Sequence, residues 1–326
     1  MANRLSHSAI NKFLQCGESY RLHYREGYRP IEIGSALIFG SAIGKAFEFA
    51  LKKETELPNI ATPKEMFDYY WAFQEINGAL TNLQTYPNIA YSRYDLDKEL
   101  ADTPYESLRV KAHLMLDTFE KEFLPLVTKV WSTEEKIELS NDEGDSSIGF
   151  ADAVVNIIGY DKPVIIDFKT ASRPYEQDSA ATSVQLSQYL HVLSEKYDNT
   201  RYVGYVVFLK NISKNRIKVC SNCGHDGSGT KFKSCNNEIN GDRCGGAWTE
   251  VSQPKADMQI IISEISQNFE TFIIDNISAV NTAIKSNIFV KNVNNCKDLG
   301  YGRPCEFYNL CHGSSEKGLV KVEVKK

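Results

Sequence analysis

The sequence has 326 residues, of which 42% are hydrophobic and 24% charged, and its formal net charge is −5 at pH 7. That length allows a full domain core with one or two attachments, and the chain has no internal repeat or low-complexity tract. No apolar run approaches the roughly 18 residues needed to cross a bilayer, and the N-terminus lacks the apolar segment of a secretory signal. We therefore expect a cytoplasmic protein with no membrane partner. The negative charge excludes a general attraction to nucleic acid, so any such binding requires local basic patches.

The N-terminal third of the chain is predicted to be mostly helical. Apolar residues at helical spacing predict one helix over residues 6–24 and a second over residues 38–53, entered through Gly40. The stretch 63–124 is rich in helix-forming and aromatic residues and predicts a helical lobe.

Strand patterns begin near Val130. Three short runs rich in β-branched residues are separated by the turn-forming segments NDEGD and DK, and an amphipathic helix and a further strand follow. In chain order, the predicted elements are strands 129–140, 147–160 and 163–171, helix 182–197, strand 201–210, a cysteine-rich segment, and a helix over about 255–285 that includes Ile260, Ile261 and Ile265. Strands followed by a helix and another strand predict a mixed α/β domain.

Charged residues interrupt two of these apolar strands. Asp152 lies in one strand, while Asp167 and Lys169 flank Phe168 in the next. Residues two apart on a strand point to the same face, so Asp167 and Lys169 project together, and an antiparallel neighbour can bring Asp152 beside them. Two carboxylates on one face can hold Mg²⁺ or Mn²⁺, and the lysine can orient an attacking water. An Asp–Lys ion pair at a strand end is the alternative explanation.

A resemblance to a known family runs through three segments of this region, GFADAVVN, VIIDFKTA and QLSQYL. They resemble the RecB-like branch of the PD-(D/E)XK nucleases and the similar nucleases of CRISPR adaptation. That family has a G-x-x-D strand, a D-x-K strand and a helix with Q-x-x-x-Y, which here are Gly149 and Asp152, Asp167 and Lys169, and Gln185 and Tyr189. The resemblance implies a restriction-endonuclease-like α/β core that hydrolyses DNA phosphodiester bonds and leaves 5′-phosphate ends.

The same resemblance implies roles for individual residues. Asp152 and Asp167 would bind the metal with the carbonyl of Phe168, Lys169 would be the catalytic lysine, and Gln185 and Tyr189 would face the scissile strand. One departure concerns the first motif, IFGSAIGKAFE, where a glycine replaces the usual metal-binding histidine.

That glycine is Gly44. Glu48, one helical turn further on, could supply the missing oxygen ligand, or it could be a solvated helix residue.

Eight cysteines in a chain without a secretory signal indicate metal sites rather than disulfides. Cys220, Cys223, Cys235 and Cys244 have the spacing of a zinc ribbon, in which four thiolates bind tetrahedral Zn²⁺. Basic residues between 210 and 233 suggest that this segment contacts DNA.

The remaining cysteines are Cys16, Cys296, Cys305 and Cys311. Iron–sulfur members of the resembled family have one cysteine before the core and three after it, so the resemblance implies a [4Fe–4S] cluster that joins the two ends of the domain. A second Zn²⁺ or free cysteines are the alternatives.

We therefore predict a metal-dependent deoxyribonuclease. The favoured role is that of a single-strand or end-processing exonuclease in recombination, repair or replication. A phage origin would fit this role. The protein would then act in the host cytoplasm, with recombination or replication proteins as partners. The alternatives are a nuclease fold that binds DNA or a partner without cutting, and an RNA-directed nuclease. The predicted divisions are N-terminal helices of the core (1–60), helical insertion (61–126), catalytic core (127–214), zinc ribbon insertion (215–252), and C-terminal helix with the iron–sulfur cysteines (253–326).

Overall fold

A six-stranded mixed β-sheet forms the centre of the protein. The computed structural model describes residues 4–53, 61–76, 78–140, 146–228, 230–297 and 304–324. The sheet is built from the long apolar strands predicted for the middle of the chain, because their β-branched side chains pack well on a pleated surface that is covered on both sides.

The helices and strands have the following bounds. The helices are α1 (His7–Gln15), α2 (Gly17–Tyr20), α3 (Ser35–Lys53), α4 (Pro63–Ala72), α5 (Pro104–Thr118), α6 (Val184–Leu193), α7 (Gln267–Lys285) and α8 (Tyr308–Gly313). The strands are β1 (Arg4–Ser6), β2 (Tyr28–Pro30), β3 (Ile33–Gly34), β4 (Phe73–Ile76), β5 (Ala79–Asn82), β6 (Ile89–Ala90), β7 (Val127–Ser140), β8 (Ser146–Ile157), β9 (Val164–Ala171), β10 (Tyr202–Cys220), β11 (Glu238–Ile239), β12 (Asp242–Arg243), β13 (Trp248–Glu264) and β14 (Leu319–Lys321).

The order across the sheet is β1-β8-β9-β10-β13, and β7 pairs with β8 as well. The β7–β8, β8–β9 and β10–β13 pairs are antiparallel, whereas β9–β10 and β1–β8 are parallel. Helix α6 connects the parallel strands β9 and β10, as a crossover between parallel strands requires. The predicted mixed α/β arrangement is confirmed.

The two faces of the sheet bury different helices. On β8, Ala153 and Val155 pack with α3, α4 and α5, while Val154 packs with α6. On β9, Ile166 belongs to the first of these clusters and Ile165 to the second. This alternation along apolar strands gives the protein a core on each side of one sheet. Asp167 and Lys169 follow Ile165 at steps of two along β9, so they lie on the same side of the sheet as α6.

The N- and C-terminal segments pack against each other. Residues of α1 and α7 form a third apolar cluster, which includes Ile10 and Ile277. Strand β14 pairs with β2, and Phe307 is buried against Leu22 beside that pair. The two ends of the described chain are thus joined on one side of the sheet.

Four predicted helix boundaries are wrong, and strand β10 runs ten residues beyond its predicted end at Lys210, to Cys220. The helix expected over 255–285 begins only at Gln267, because Ile260 and Ile261 lie in β13 and pair with β10; Ile265 falls between β13 and α7. Three consecutive isoleucines fit a strand buried on both faces, which short-range periodicity does not distinguish from a helix.

The other three corrections concern helix ends. The first predicted helix is interrupted at Cys16, whose backbone is extended. The second begins at Ser35, so Gly40 lies inside it. Residues Phe73–Ile76, expected in a helix, form β4. Across the part of the chain that the structure describes, no helix has both the length and the apolar character needed to cross a membrane.

Candidate active site

Two aspartates meet at the junction of β8 and β9. Ala153 pairs with Ile166 across the antiparallel strands, which brings Asp152 opposite Asp167. The backbone N–H of Phe168 donates a hydrogen bond to Oδ2 of Asp152 at 2.7 Å. The sequence-based expectation that an antiparallel neighbour places Asp152 beside the D-x-K strand therefore agrees with the register of the sheet.

The two carboxylates are in an environment that favours a bound cation. Burial and the Asp167 carboxylate raise the pKa of Asp152 well above its usual range. Burial also raises the pKa of Asp167, which is only 2% exposed, although Lys169 opposes this rise. Apart from its ion pair with Lys169, Oδ2 of Asp167 has no hydrogen-bond partner among the described residues. Two buried like charges that share one lysine fit the binding of a hard divalent cation.

Lys169 connects the aspartates to helix α6. Its Nζ lies 2.5 Å from Oδ2 of Asp167 and donates a hydrogen bond to Oε1 of Gln185 at 3.1 Å. Nε2 of Gln185 in turn donates to the hydroxyl of Tyr189 at 2.6 Å. Burial raises the pKa of Tyr189, so its hydroxyl stays protonated. The structure thus brings together Asp152, Asp167, Lys169, Gln185 and Tyr189.

Gly149 fits this arrangement for a steric reason. A Cβ at this position would lie 3.0 Å from the ring of Tyr189 and 3.2 Å from the side chain of Ile137. The glycine of the G-x-x-D strand therefore allows α6 to approach β8 closely.

Glu48 and Gly44 lie on α3, which packs next to β7. The carboxylate of Glu48 accepts hydrogen bonds from Lys45 at 2.9 Å and from Lys52 at 2.6 Å. Although burial opposes them, these lysines hold the pKa of Glu48 below its usual range. A Cβ added to Gly44 would meet no atom within 4 Å, so the place of the usual histidine is open space. The role of Glu48 as a metal ligand stays a prediction.

One residue beside the aspartates was missed at the level of sequence. Glu134 in β7 has φ of 49°, the left-handed conformation that side-chain-bearing residues seldom adopt. Its charge adds to the rise in the pKa of Asp152, after burial and Asp167. Nothing in the segment STEEKIE distinguishes it from the neighbouring solvent-facing charges, because its position depends on strand pairing.

The four ribbon cysteines lie at the tip of the arm formed by β10 and β13. Sγ of Cys220 is 3.5 Å from that of Cys244, and Sγ of Cys223 is 3.7 Å from that of Cys235. Tetrahedral coordination at Zn–S distances near 2.3 Å would separate the sulfurs by about 3.8 Å, so these thiols fit one zinc ion. In the described part of the chain they are the only group of three or more such ligands within 4.8 Å of one another.

Two glycines shape the second half of this site. Gly245 has φ of 63°, and a Cβ on Gly246 would lie 2.5 Å from Sγ of Cys220. The tight turn after Cys244 is therefore required by the approach of the backbone to the thiols.

The second set of cysteines is more widely spaced. The backbone N–H of Asn292 points to Sγ of Cys16 at 3.5 Å, and that of Cys305 donates to the carbonyl of Cys296 at 2.9 Å. Burial raises the pKa of Cys305, and the nearby thiols of Cys16 and Cys296 add to this rise. Burial likewise raises the pKa of Cys311, to which Cys305 and Cys16 contribute. The fold therefore brings together the chain segments that carry these four cysteines.

The basic patch expected between 210 and 233 is smaller than the sequence indicates. Lys210 is only 4% exposed, pairs with Asp95 at 3.6 Å and lies over the ring of Phe39. Lys214 pairs with Glu99 at 2.5 Å. Lys210 and Lys214, two of the six basic residues between 210 and 233, are thus paired with acidic residues of the helical lobe. This happens because β10 runs past that lobe before it reaches the ribbon.

Comparison with known proteins identifies the family. The model of the PD-(D/E)XK nuclease superfamily matches residues 4–312. The chain belongs to this superfamily. Members of the PD-(D/E)XK superfamily generally use divalent metals, and the predicted restriction-endonuclease-like α/β core is confirmed. No curated protein matches the sequence.

One similar solved structure is a crystal structure of a "Putative exonuclease" from Eubacterium rectale. It shares 12% sequence identity with this PD-(D/E)XK chain, with a TM-score of 0.44, and the match covers 95% of this chain and 93% of that chain.

Proposed function

We propose that the protein is a metal-dependent deoxyribonuclease whose catalytic residues are Asp152, Asp167 and Lys169. The observation that carries this proposal is the pairing of two buried carboxylates across β8 and β9, with Lys169 Nζ 2.5 Å from Asp167. An ion pair that served stability alone would not place a second buried carboxylate beside the first. Mg²⁺ or Mn²⁺ are the proposed cations, since both prefer oxygen ligands.

The residues divide the work of phosphodiester hydrolysis. A divalent cation held by Asp152 and Asp167, with the Phe168 carbonyl, would lower the pKa of water and offset the negative charge of the phosphate. Lys169 can donate a hydrogen bond to the attacking water or to a phosphate oxygen from its position between Asp167 and Gln185. The water oxygen bonds to phosphorus as the bond to the 3′ oxygen breaks, which leaves a 5′-phosphate and a 3′-hydroxyl.

Gln185 and Tyr189 are proposed to position the scissile strand. Both lie on the face of α6 that meets Lys169, and the protonated Tyr189 hydroxyl can donate to a phosphate oxygen. Their hydrogen bond at 2.6 Å restricts the rotamers of both side chains. We infer that they orient the substrate rather than exchange protons with it.

The proposal extends to a zinc ribbon and an iron–sulfur cluster. The sulfur–sulfur distances in the ribbon fit zinc, as described above. The second set of cysteines lacks the mutual approach within 4.8 Å that a single zinc ion requires. The segments that carry its thiols nevertheless meet at the junction of the two chain ends, which favours a larger cluster that binds each thiolate through a different iron. Measuring iron, sulfide and zinc in anaerobically purified protein and in Cys305→Ser tests both assignments.

The substrate is proposed to be single-stranded DNA or duplex ends, in recombination, repair or replication. End-labelled single- and double-stranded DNA, with matched RNA, is incubated with Mn²⁺, Mg²⁺ or EDTA, in parallel with Lys169→Ala. We expect metal-dependent cleavage of DNA that the variant loses, with a product ladder that gives polarity. Preference for RNA would redirect the proposal to an RNA-directed nuclease.

One observation favours a second candidate, a nuclease fold that binds DNA without cutting it. Gly44 has no side chain to replace the usual histidine ligand, and a Cβ added there would meet no atom within 4 Å. This candidate predicts that metal-loaded protein retains DNA binding, shows no cleavage, and binds DNA equally well as Asp167→Ala.

A further inference from the structure

A third carboxylate stands in line with the two aspartates. The residues on either side of Glu134 in β7 pair with the residues on either side of Asp152 in β8. Because Ala153 pairs with Ile166 in β9, Asp167 occupies the next place in the same row. Glu134, Asp152 and Asp167 therefore occupy successive positions across three adjacent strands.

The backbone at Glu134 departs from the strand to hold this position. Its φ of 49° is unfavourable for a residue with a side chain and costs about 1 kcal/mol or more. From Ser132 to Ser140 the pairing of β7 with β8 keeps one register, so within that stretch the departure is confined to Glu134. The strand is thus distorted at the one residue that lies opposite Asp152.

A cation already lies at this end of the row. Nζ of Lys45 is 3.3 Å from the carboxylate of Glu134 and 2.9 Å from that of Glu48. Lys45 follows Gly44, where the family has its histidine ligand and where this chain has open space. A positive charge is therefore stabilised between Glu134 and Glu48, close to the place of the missing ligand.

Glu134 is the better placed of these two carboxylates to bind a metal. Both oxygens of Glu48 are occupied by lysines, because Lys52 binds the oxygen that Lys45 leaves free. In the described ranges, Lys45 is the only cation that pairs with Glu134. At the other end of the row, the buried Oδ2 of Asp167 pairs only with Lys169 Nζ among the described residues, so Asp152 and Asp167 share one cation and a further positive ligand would offset the remaining charge.

We propose that Glu134 becomes the third carboxylate of the divalent-metal site by turning toward Asp152 when the metal displaces Lys45, because the three carboxylates do not all lie within 4.8 Å of one another before the metal binds. This inference rests on the proposed function, in which Asp152 and Asp167 hold the metal. In this proposal Glu134 in β7 supplies the metal ligand that relatives obtain from a histidine on the helix, at the position of Gly44.

The test is Mn²⁺ binding to the whole protein, followed by electron paramagnetic resonance and calorimetric titration. Glu134→Gln should weaken Mn²⁺ binding about tenfold or more, a loss of about 1.4 kcal/mol. Glu134→Asp keeps the charge but shortens the side chain, so it should also weaken binding if Glu134 is a ligand rather than a distant charge. The matched control is Glu138→Gln, on the same strand and exposed in a pair with Lys136, which should bind as the wild type does.

Lys45→Met supplies the opposite expectation. Removal of the competing cation should tighten Mn²⁺ binding severalfold, and the gain should disappear when Glu134 is also changed to Gln. If Glu134→Gln fails to fold, as judged by circular dichroism and zinc content, an unchanged Mn²⁺ affinity in Lys45→Met overturns the proposal.

The outcomes separate this inference from the proposed function. Wild-type affinity in Glu134→Gln, together with loss of binding in Asp167→Asn, overturns the role of Glu134 and leaves the catalytic aspartates in place. Wild-type affinity in both variants overturns the metal site as a whole.

Discussion

The proposed catalytic face, which carries Asp152, Asp167 and Lys169, and the helical lobe hold charged groups together in opposite ways. On the catalytic face, Asp152 and Asp167 are buried side by side, and burial with mutual repulsion raises the pKa of Asp152. In the lobe, Asp68 on α4 accepts two hydrogen bonds from Arg109 on α5, both at 2.8 Å. Although burial opposes them, Arg109 and His113 lower the pKa of Asp68.

The difference shows what each region is built for. The lobe satisfies its carboxylate from within the protein, so the ionised form of Asp68 stabilises the fold. The catalytic face leaves two carboxylates short of positive charge, with Lys169 as the one cation that pairs with them among the residues that the structure describes. Such a group costs stability and is retained where a ligand supplies the missing charge.

The largest expected effect separates activity from lobe stability. Lys169→Ala should reduce the rate of DNA cleavage about 100-fold or more, because the phosphate and the water lose their positioned donor. Arg109→Met, which removes a cation from the lobe, should leave the cleavage rate within about twofold of wild type. Quenched single-turnover assays measure both. Full activity in Lys169→Ala would contradict a catalytic role for Lys169, which would then be only a counter-ion, as Arg109 is in the lobe.

Like the catalytic face, the ribbon brings together side chains that a metal ion would neutralise, but here they are thiols rather than carboxylates. Cys235→Ser should reduce bound zinc to background and unfold the segment between β10 and β13, because four clustered sulfurs hold it together through the metal. The central sheet should survive, since its core packs independently of the ribbon.

Metal analysis and limited proteolysis measure this second effect. New cleavage sites should fall between residues 220 and 248, with the circular dichroism of the sheet retained. Cys305→Ser is the control, because it should leave zinc at the ribbon. Zinc retained by Cys235→Ser would show that the ribbon thiols are not the ligands.

Asp152→Asn sharpens the comparison through stability. In EDTA, the variant should be more stable than wild type by about 1 kcal/mol, because a buried charge next to Asp167 is removed while the side-chain oxygen can still accept from Phe168 N–H. Mn²⁺ should raise the midpoint of urea unfolding of wild type and not that of the variant. A loss of stability in EDTA would mean that Asp152 is already satisfied within the protein.

Asp68→Asn should have the smallest effect and the opposite sign. We expect a loss of about 0.5–1 kcal/mol in the free energy of unfolding at neutral pH, because the pair with Arg109 is partly solvated. The folded-state pKa of Asp68 is lowered, so its contribution is present above the unfolded pKa and is lost as pH falls through the folded pKa. The gap between wild type and variant should therefore close below about pH 4. A gap that persists there would assign the loss to packing.

Several features of the site follow from sequence patterns alone. The D-x-K spacing predicts that Asp167 and Lys169 share a face, and the i, i+4 spacing of Gln185 and Tyr189 predicts their contact on α6. The C-x2-C spacing with two further cysteines nearby predicts the ribbon. Each of these depends on neighbours within a few residues, where backbone geometry fixes the relative positions of the side chains.

Other features depended on partners far along the chain. The isoleucines of β13 became strand residues because β10 offers them hydrogen bonds, not because of their own spacing. Lys210 belongs to no basic patch, because Asp95 from the lobe neutralises it. Both errors arise where a segment with two possible readings is decided by a partner more than 40 residues away.

The sequence thus determined the chemistry of this protein, namely two carboxylates, a lysine and two sets of thiols in recognisable local order. The tertiary structure decided which charges are left without a partner. Strand pairing placed Glu134 opposite Asp152, and helix α3 brought Lys45 to Glu134. The packing of both chain ends brought Cys16 to Asn292, which precedes the C-terminal cysteines. The physical reason is that dihedral preferences and side-chain spacing act over a few residues, whereas burial and charge pairing depend on all the groups that the folded chain brings together.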